Sequence, residues 1–269
     1  LSVLSEVRLD AADSVKLYFA NSNTYLFAST ADKLSVKVLS GNLEVIGSFT
    51  TAADGKVLDI FPTDGGLSAF IGGENSYGII RFDYSLGFTA KNVNYDYSLH
   101  SVYPTVWEGE LAFATLLSGK NGFNITLLDS NASVIKTAEI GAFDFCFMFP
   151  LGENFWVYAS GDTVKTMLYC KHLDKIIDKG SSLMLSDVTF FENRGDRLLV
   201  NAVTVENELL VCETGGETLT IKAAYTAAKG VTYVDAADNL YMCTAVKSGL
   251  FKYNFGNADV FIIKSGLSV

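Results

Sequence analysis

The chain has 269 residues, 49% of them apolar and only 19% charged, so it can bury a large core, and intrinsic disorder is excluded. A formal net charge of −10 with four scattered arginines, Arg8, Arg81, Arg194 and Arg197, leaves no basic stripe. A surface that tracks nucleic-acid phosphates or anionic lipid is excluded with it. No apolar run approaches the ~18 residues of a membrane-spanning helix, so no transmembrane segment is expected.

The first residues, Ser2–Leu9, stand outside the pattern that follows and are expected to pair with an outer strand at Val260–Lys264. The chain opens on Leu rather than Met, as expected of a trimmed or processed sequence. From there a short polar turn leads into a bulky apolar run six times. The runs begin at Tyr25, Leu67, Leu111, Phe155, Leu198 and Leu240, at intervals of 42, 44, 44, 43 and 42 residues. A period of about 40–50 residues built of short strands predicts a β-propeller. The expected fold is therefore all-β, a six-bladed β-propeller of four-stranded antiparallel blades in one domain. The blades fall near 10–50, 54–94, 97–141, 142–183, 184–226 and 227–269.

In the third unit the strands are expected at Ser101–Trp107, Leu111–Leu117, Phe123–Leu128 and Ser133–Ile140, separated by Gly, Asn and Asp turns. The fifth repeats the plan with Val188–Glu192, Leu198–Val205, Leu209–Glu213 and Thr218–Ala224. Second strands such as Phe155-Trp-Val-Tyr-Ala are apolar without alternation, which calls for burial on both faces. Pro62, Pro104 and Pro150 all precede an anchor by five to seven residues, which puts them in first strands. Proline lacks a ladder donor, so those strands must be edges. Lys171–Asp178, with charges at i,i+4 spacing, is the one stretch that reads as a short helical turn.

The run Gly230-Val-Thr-Tyr-Val-Asp-Ala-Ala-Asp-Asn-Leu-Tyr-Met resembles the strand–Asp–turn–strand cadence of NHL-type six-bladed propeller repeats. The turn Asp54-Gly55-Lys56 before Val57 is similar to the Asp-Gly-Lys turns of TolB-like propellers. These resemblances imply a fold and no particular activity. WD40, Kelch and sialidase signatures are absent.

Counting back eleven residues from each anchor gives Ser14, Lys56, His100, Asp144, Asp187 and Lys229, all polar, at the expected starts of the first strands. In a propeller these positions ring the mouth of the central channel. Lys56, His100, Asp144, Asp187 and Lys229 are the candidate ligand-binding residues, suited to a protein segment or a polar small molecule such as a glycan. Nearby loops add Asp32, Lys33, Glu74, Asn75, Lys120, Asn121, Asp162, Glu206, Asn207 and Lys247. The opposite face holds Asp64, Glu108, Glu110, Glu153, Asp196 and Asp238, read as a solubilising acidic rim.

The enzymatic alternative is a divalent-metal hydrolase or lactonase using His100, Asp144, Asp187 and Asp59. Gly-x-Ser-x-Gly and phosphate-loop patterns are missing, so the reading favours a non-enzymatic recognition scaffold with no cofactor and no metal. A structural part in an envelope or appendage assembly is the remaining alternative. The aromatic run Phe143, Phe145, Phe147, Phe149, Phe155 and Trp156 reads as packing between blades, and Trp107 as an exposed adhesive side chain. Cys146, Cys170, Cys212 and Cys243 read as buried free thiols. The sequons at Asn124 and Asn131, with low charge and many Ser, Thr and Asn, tilt the compartment toward an extracytoplasmic one.

Overall fold

A computed structural model of the chain describes residues 12–94, 96–206, 208–215, 219–225, 230–234, 239–244 and 265–266. Among these residues all regular structure is β, and no helix is long and apolar enough to cross a membrane. The chain divides into two compact units, Leu1–Ala142 and Phe143–Val269.

The first unit holds three four-stranded antiparallel sheets. They are β1 (Ser14–Ala20) to β4 (Val45–Ala52), with β2 (Asn23–Ser29) and β3 (Lys33–Leu39) between; β5 (Lys56–Thr63), β6 (Gly66–Gly72), β7 (Tyr77–Asp83) and β8 (Phe88–Asn94); and β9 (Tyr97–Trp107), β10 (Glu110–Gly119), β11 (Gly122–Asp129) and β12 (Val134–Gly141). In the second unit, β13 (Phe145–Leu151), β14 (Asn154–Ser160), β15 (Val164–Tyr169) and β16 (Lys175–Gly180) form one sheet. A second contains β17 (Leu185–Asn193), β18 (Leu198–Thr204), β19 (Leu209–Thr214) and β20 (Thr220–Tyr225). A third has β21 (Gly230–Val234), β22 (Asn239–Thr244) and β23 (Ser265–Gly266). Within every sheet the strands lie in sequence order, as tight hairpins require.

Each apolar anchor stands within the first three residues of a second strand, so the 43-residue rhythm is the rhythm of the sheets. The middle strands are buried on both faces: Gly66–Ile71 of β6, Ala112–Leu117 of β10 and Phe155–Ser160 of β14. Fourth strands such as β4, β12 and β16 stay largely exposed, and their sequences are correspondingly mixed. Pro62, Pro104 and Pro150 lie in β5, β9 and β13, each paired on one side only, where a missing donor costs nothing.

Sheet-on-sheet packing in the first unit is aromatic and aliphatic. Tyr25, Phe27 and Val36 pack with Leu67, Ile80 and Phe82 between the first two sheets, and Phe70, Ile79 and Leu99 pack with Phe113 and Leu128 between the second and third. The rings of Phe61, Phe70 and Phe113 meet at centroid distances of 4.9–5.7 Å. Phe70 and Phe113, both fully buried, each contribute roughly 2–3 kcal/mol of hydrophobic stabilisation. In the second unit, Trp156 is fully buried beside Phe149, and Phe149 touches Phe191 of β17 at 4.5 Å.

The hairpins between third and fourth strands repeat a geometry that the sequence pattern did not announce. Ser40, Asp83, Asp129 and Cys170 each open a turn in which their carbonyl accepts the N–H three residues on and their N–H donates to the carbonyl four on. The fourth residue of each turn, Leu43, Leu86, Ala132 or Leu173, has φ between 60° and 66°. A left-handed non-glycine costs about 1–2 kcal/mol. Burial of Leu86 and Leu173, at 8% and 3% exposure, offsets that cost.

Several expectations need correction. Lys171–Asp178 forms a turn and then the β16 strand, not a helical turn, because Lys175 and Ile177 pair with Tyr169 and Leu168 of β15, Ile176 bulging between them. Phe145 is 48% exposed, so the alternating aromatic run is not wholly internal. Cys170, at a hairpin end, is only partly buried, whereas Cys146 and Cys212 are buried free thiols. Burial in apolar surroundings pushes the Cys212 thiol up to about 12 and Cys146 higher still, which makes both inert. Asn124 is buried with its side chain accepting from Thr126, so that sequon is inaccessible, while Asn131 is exposed at a turn. The Ser2–Leu9 and Val260–Lys264 pairing and the Cys243 side chain lie outside the described residues.

Candidate functional site

Antiparallel register decides which side chains share an edge of a sheet. Ser14 pairs with Ser29 and Ser29 with Leu34, so the start of β1 lies beside the β2–β3 loop. Lys56 pairs with Gly72 beside the β6–β7 loop, and Tyr97 pairs with Gly119 beside the β10–β11 loop. One edge of each sheet therefore gathers the first-strand start and the loop between second and third strands.

Hydrogen bonds stitch this edge together across sheets of the first unit. Ser14 Oγ donates to the Val57 carbonyl at 3.1 Å, and the Val57 N–H donates to Ser29 Oγ at 3.2 Å. Ser76 Oγ donates to Asp54 Oδ2 at 2.7 Å, and Ser98 Oγ donates to the Glu74 carbonyl. Lys56 opens β5, exposed and without a polar partner among the described residues.

His100 departs from the expected position. β9 starts three residues earlier, at Tyr97, and His100 is the extra residue of a bulge between the Leu99–Leu117 and Ser101–Leu116 pairs. A bulge re-aims the side chain it carries. The ring lies on Phe123, with centroids 5.2 Å apart, and its Nε2 is 2.7 Å from Ser118 Oγ. Partial burial lowers its pKa below the ordinary histidine value, which favours the neutral imidazole as a hydrogen-bonding group. Asp59 is half-buried in β5, its Oδ1 accepting the Ile60 N–H at 2.8 Å.

In the second unit, Asp144 stands one residue before β13, exposed, its N–H donating to the Ser160 carbonyl at 2.9 Å. Asp187 is the third residue of β17, exposed, and its Oδ1 accepts the Val188 N–H at 2.8 Å. The bulge at Ser186, between the Leu185–Thr204 and Asp187–Val203 pairs, displaces it from the strand start. Lys229 lies outside the described residues. Among the described residues no three His, Cys, Asp or Glu side chains come together to hold a metal ion. The hydroxyl of Ser118 beside His100 was not singled out from sequence; the β9–β10 ladder and its bulge bring the two together.

No family model matches the chain, and no curated protein matches it. Solved structures do. A Dos1 propeller superposes with a TM-score of 0.58 at 12% identity, over 83% of this chain and 62% of that one. The fold is that of a β-propeller. This chain thus spans less than two thirds of the Dos1 propeller's length. A Bacteroides fragilis protein provisionally assigned as a 6-phosphogluconolactonase gives 0.58 at 11% identity, over 90% of this propeller and 79% of that chain. BBS1N, solved in complex with ARL6DN, gives 0.53 at 11% identity, over 87% and 75%. At such identities the likeness concerns the fold alone.

Proposed function

We propose that the chain closes as a six-bladed propeller and acts as a protein-recognition scaffold, binding through the edge that gathers first-strand starts. Lys56, His100, Asp144, Asp187 and Lys229 are the proposed contact residues. The observation that carries this reading is the division of labour within each sheet. The middle strands are buried, while Lys56, Asp144 and Asp187 are exposed, each at the first-strand-start edge of its own sheet. Binding residues concentrate on such rigidly supported edges and loops. A protein ligand is also what BBS1N, a protein of the same fold, was solved with, in its complex with ARL6DN. The metal-hydrolase alternative draws no support from the placement of the described acidic and histidine side chains.

Capture of a partner from the native source by the immobilised chain tests the proposal. Asp144→Ala/Asp187→Ala and Lys56→Ala/His100→Ala should each weaken capture at least about tenfold, roughly 1.4 kcal/mol of binding. Exposed sites of this kind leave stability within about 0.5 kcal/mol, so the melting temperature should hold. Undiminished capture by both variants would overturn the site, and a glycan as the captured species would overturn the protein ligand.

A further inference from the structure

Each four-stranded sheet ends on a fourth strand, and among the described residues β4 pairs with β3 alone. The open side of such a ladder is a template for another strand, and natural edges are guarded against this by charge, lysine above all. Lys91 lies in β8, Lys136 and Glu139 in β12, Lys175, Asp178 and Lys179 in β16, and Lys222 in β20. β4 reads Val45-Ile-Gly-Ser-Phe-Thr-Thr-Ala and has no charged residue at all. All five fourth strands carry a bulge against the third, so charge is what sets β4 apart. We propose that β4 pairs edge to edge with β4 of a second copy of this chain, antiparallel about a two-fold axis at Ser48.

The ladder fixes which residues face the open side. Just past the β3–β4 pairing, the Ala53 N–H donates to the Asp32 carbonyl at 3.0 Å. Antiparallel bonds alternate along a strand, so Thr51, Phe49 and Gly47 bond to Leu34, Val36 and Val38 of β3. Ser48 and Thr50 therefore turn their N–H and C=O groups outward. The side chains of Ile46, Ser48 and Thr50 are exposed as well, and Val45 and Ile46 are 52% and 57% exposed.

A second copy fits this edge because the pairing is self-complementary, one patch serving both partners. About an axis at Ser48, Ser48 faces Ser48, Ile46 faces Thr50 as a β-branched cross-strand pair, and Glu44 faces Ala52. No like charges stand opposite one another. That neutrality matters for a chain of net charge −10, whose copies repel over the rest of their surface. The same operation on β16, about Ile177, would set Lys175 opposite Lys179. The β4 edge involves neither Lys56 nor His100, so its failure would leave the recognition edge proposed above untouched.

The test is sedimentation equilibrium of the intact chain over a wide concentration range, with residue-resolved amide exchange at both ends of that range. A monomer–dimer equilibrium is expected. Exchange at Ser48 and Thr50 should slow as concentration rises, while Gly47 and Phe49, bonded within the sheet, stay unchanged. Ser48→Lys sets two lysines face to face across the axis and should weaken dimerisation at least about tenfold. Mixing it with Ser48→Glu should restore the dimer, and Val134→Lys on β12 should leave it unaltered. Position 48 is exposed, so the melting temperature of the dilute variants should hold. A monomer at every concentration, a dimer indifferent to Ser48→Lys, or Ser48 and Thr50 amides already protected in the dilute monomer would overturn the pairing.

Discussion

Trp156→Ala is expected to be the most destabilising truncation in the second unit, costing about 3–5 kcal/mol. Trp156 sits in β14 between β13 and β15, paired with Phe149 on one side and Leu168 on the other, and is fully buried. Its ring stacks on Phe149 with centroids 6.1 Å apart and planes 16° from parallel, and it neighbours Tyr158 at 6.3 Å. Phe149 in turn meets Phe191, so a cavity at Trp156 loosens the contact between two sheets. The indole Nε1 is buried without a hydrogen-bond partner among the described residues. Its desolvation is uncompensated, and removing it relieves a cost of about 1–3 kcal/mol. Trp156→Phe should therefore retain most of the stability that Trp156→Ala loses. Urea unfolding followed by Tyr and Phe near-ultraviolet circular dichroism reads both; equal losses would mean that the ring's volume contributes little.

Gly55→Ala should cost about 2–4 kcal/mol, while Gly65→Ala should cost only about 1 kcal/mol. Both glycines have positive φ, +118° and +77°, so both substitutions meet backbone strain. They differ in space. A methyl group at Gly55 would fall on the Gly72 carbonyl across the β5–β6 ladder, whereas at Gly65 nothing stands within 4 Å. Backbone cannot yield as a side-chain end can, so the collision must part β5 from β6 at the residue before Lys56. The same unfolding experiment compares the pair, and equal losses would remove the close approach as the cause.

The architecture was legible because two signals coincide. A buried middle strand needs an apolar run with no alternation, and a hairpin needs Gly, Asp or Asn before it; their recurrence at Leu67, Phe155 and Leu198 marks three of the sheets. Edge prolines at 62, 104 and 150 reported strand order independently. The site was harder to read. Equal offsets along a chain give equal depths only where ladders have no bulge, and bulges at His100 and Ser186 break that equality. The left-handed residues at Leu86 and Leu173 escaped notice because glycine or asparagine usually marks that conformation, and here leucine is held by burial. Asp64 and Glu110 of the rim read as solubilising line one cleft with Arg81, whose guanidinium reaches a turn some 50 residues away. No local pattern encodes that contact.

Amide hydrogen exchange of the chain, alone and bound to its captured partner, tests the recognition edge most directly. The expected result is slowed exchange in the loops 30–33, 54–56, 73–76 and 118–122 of the first unit and around 144 and 161–163 of the second. Slowing confined to the hairpins 40–44, 83–87 and 129–133, with those loops unchanged, would contradict it.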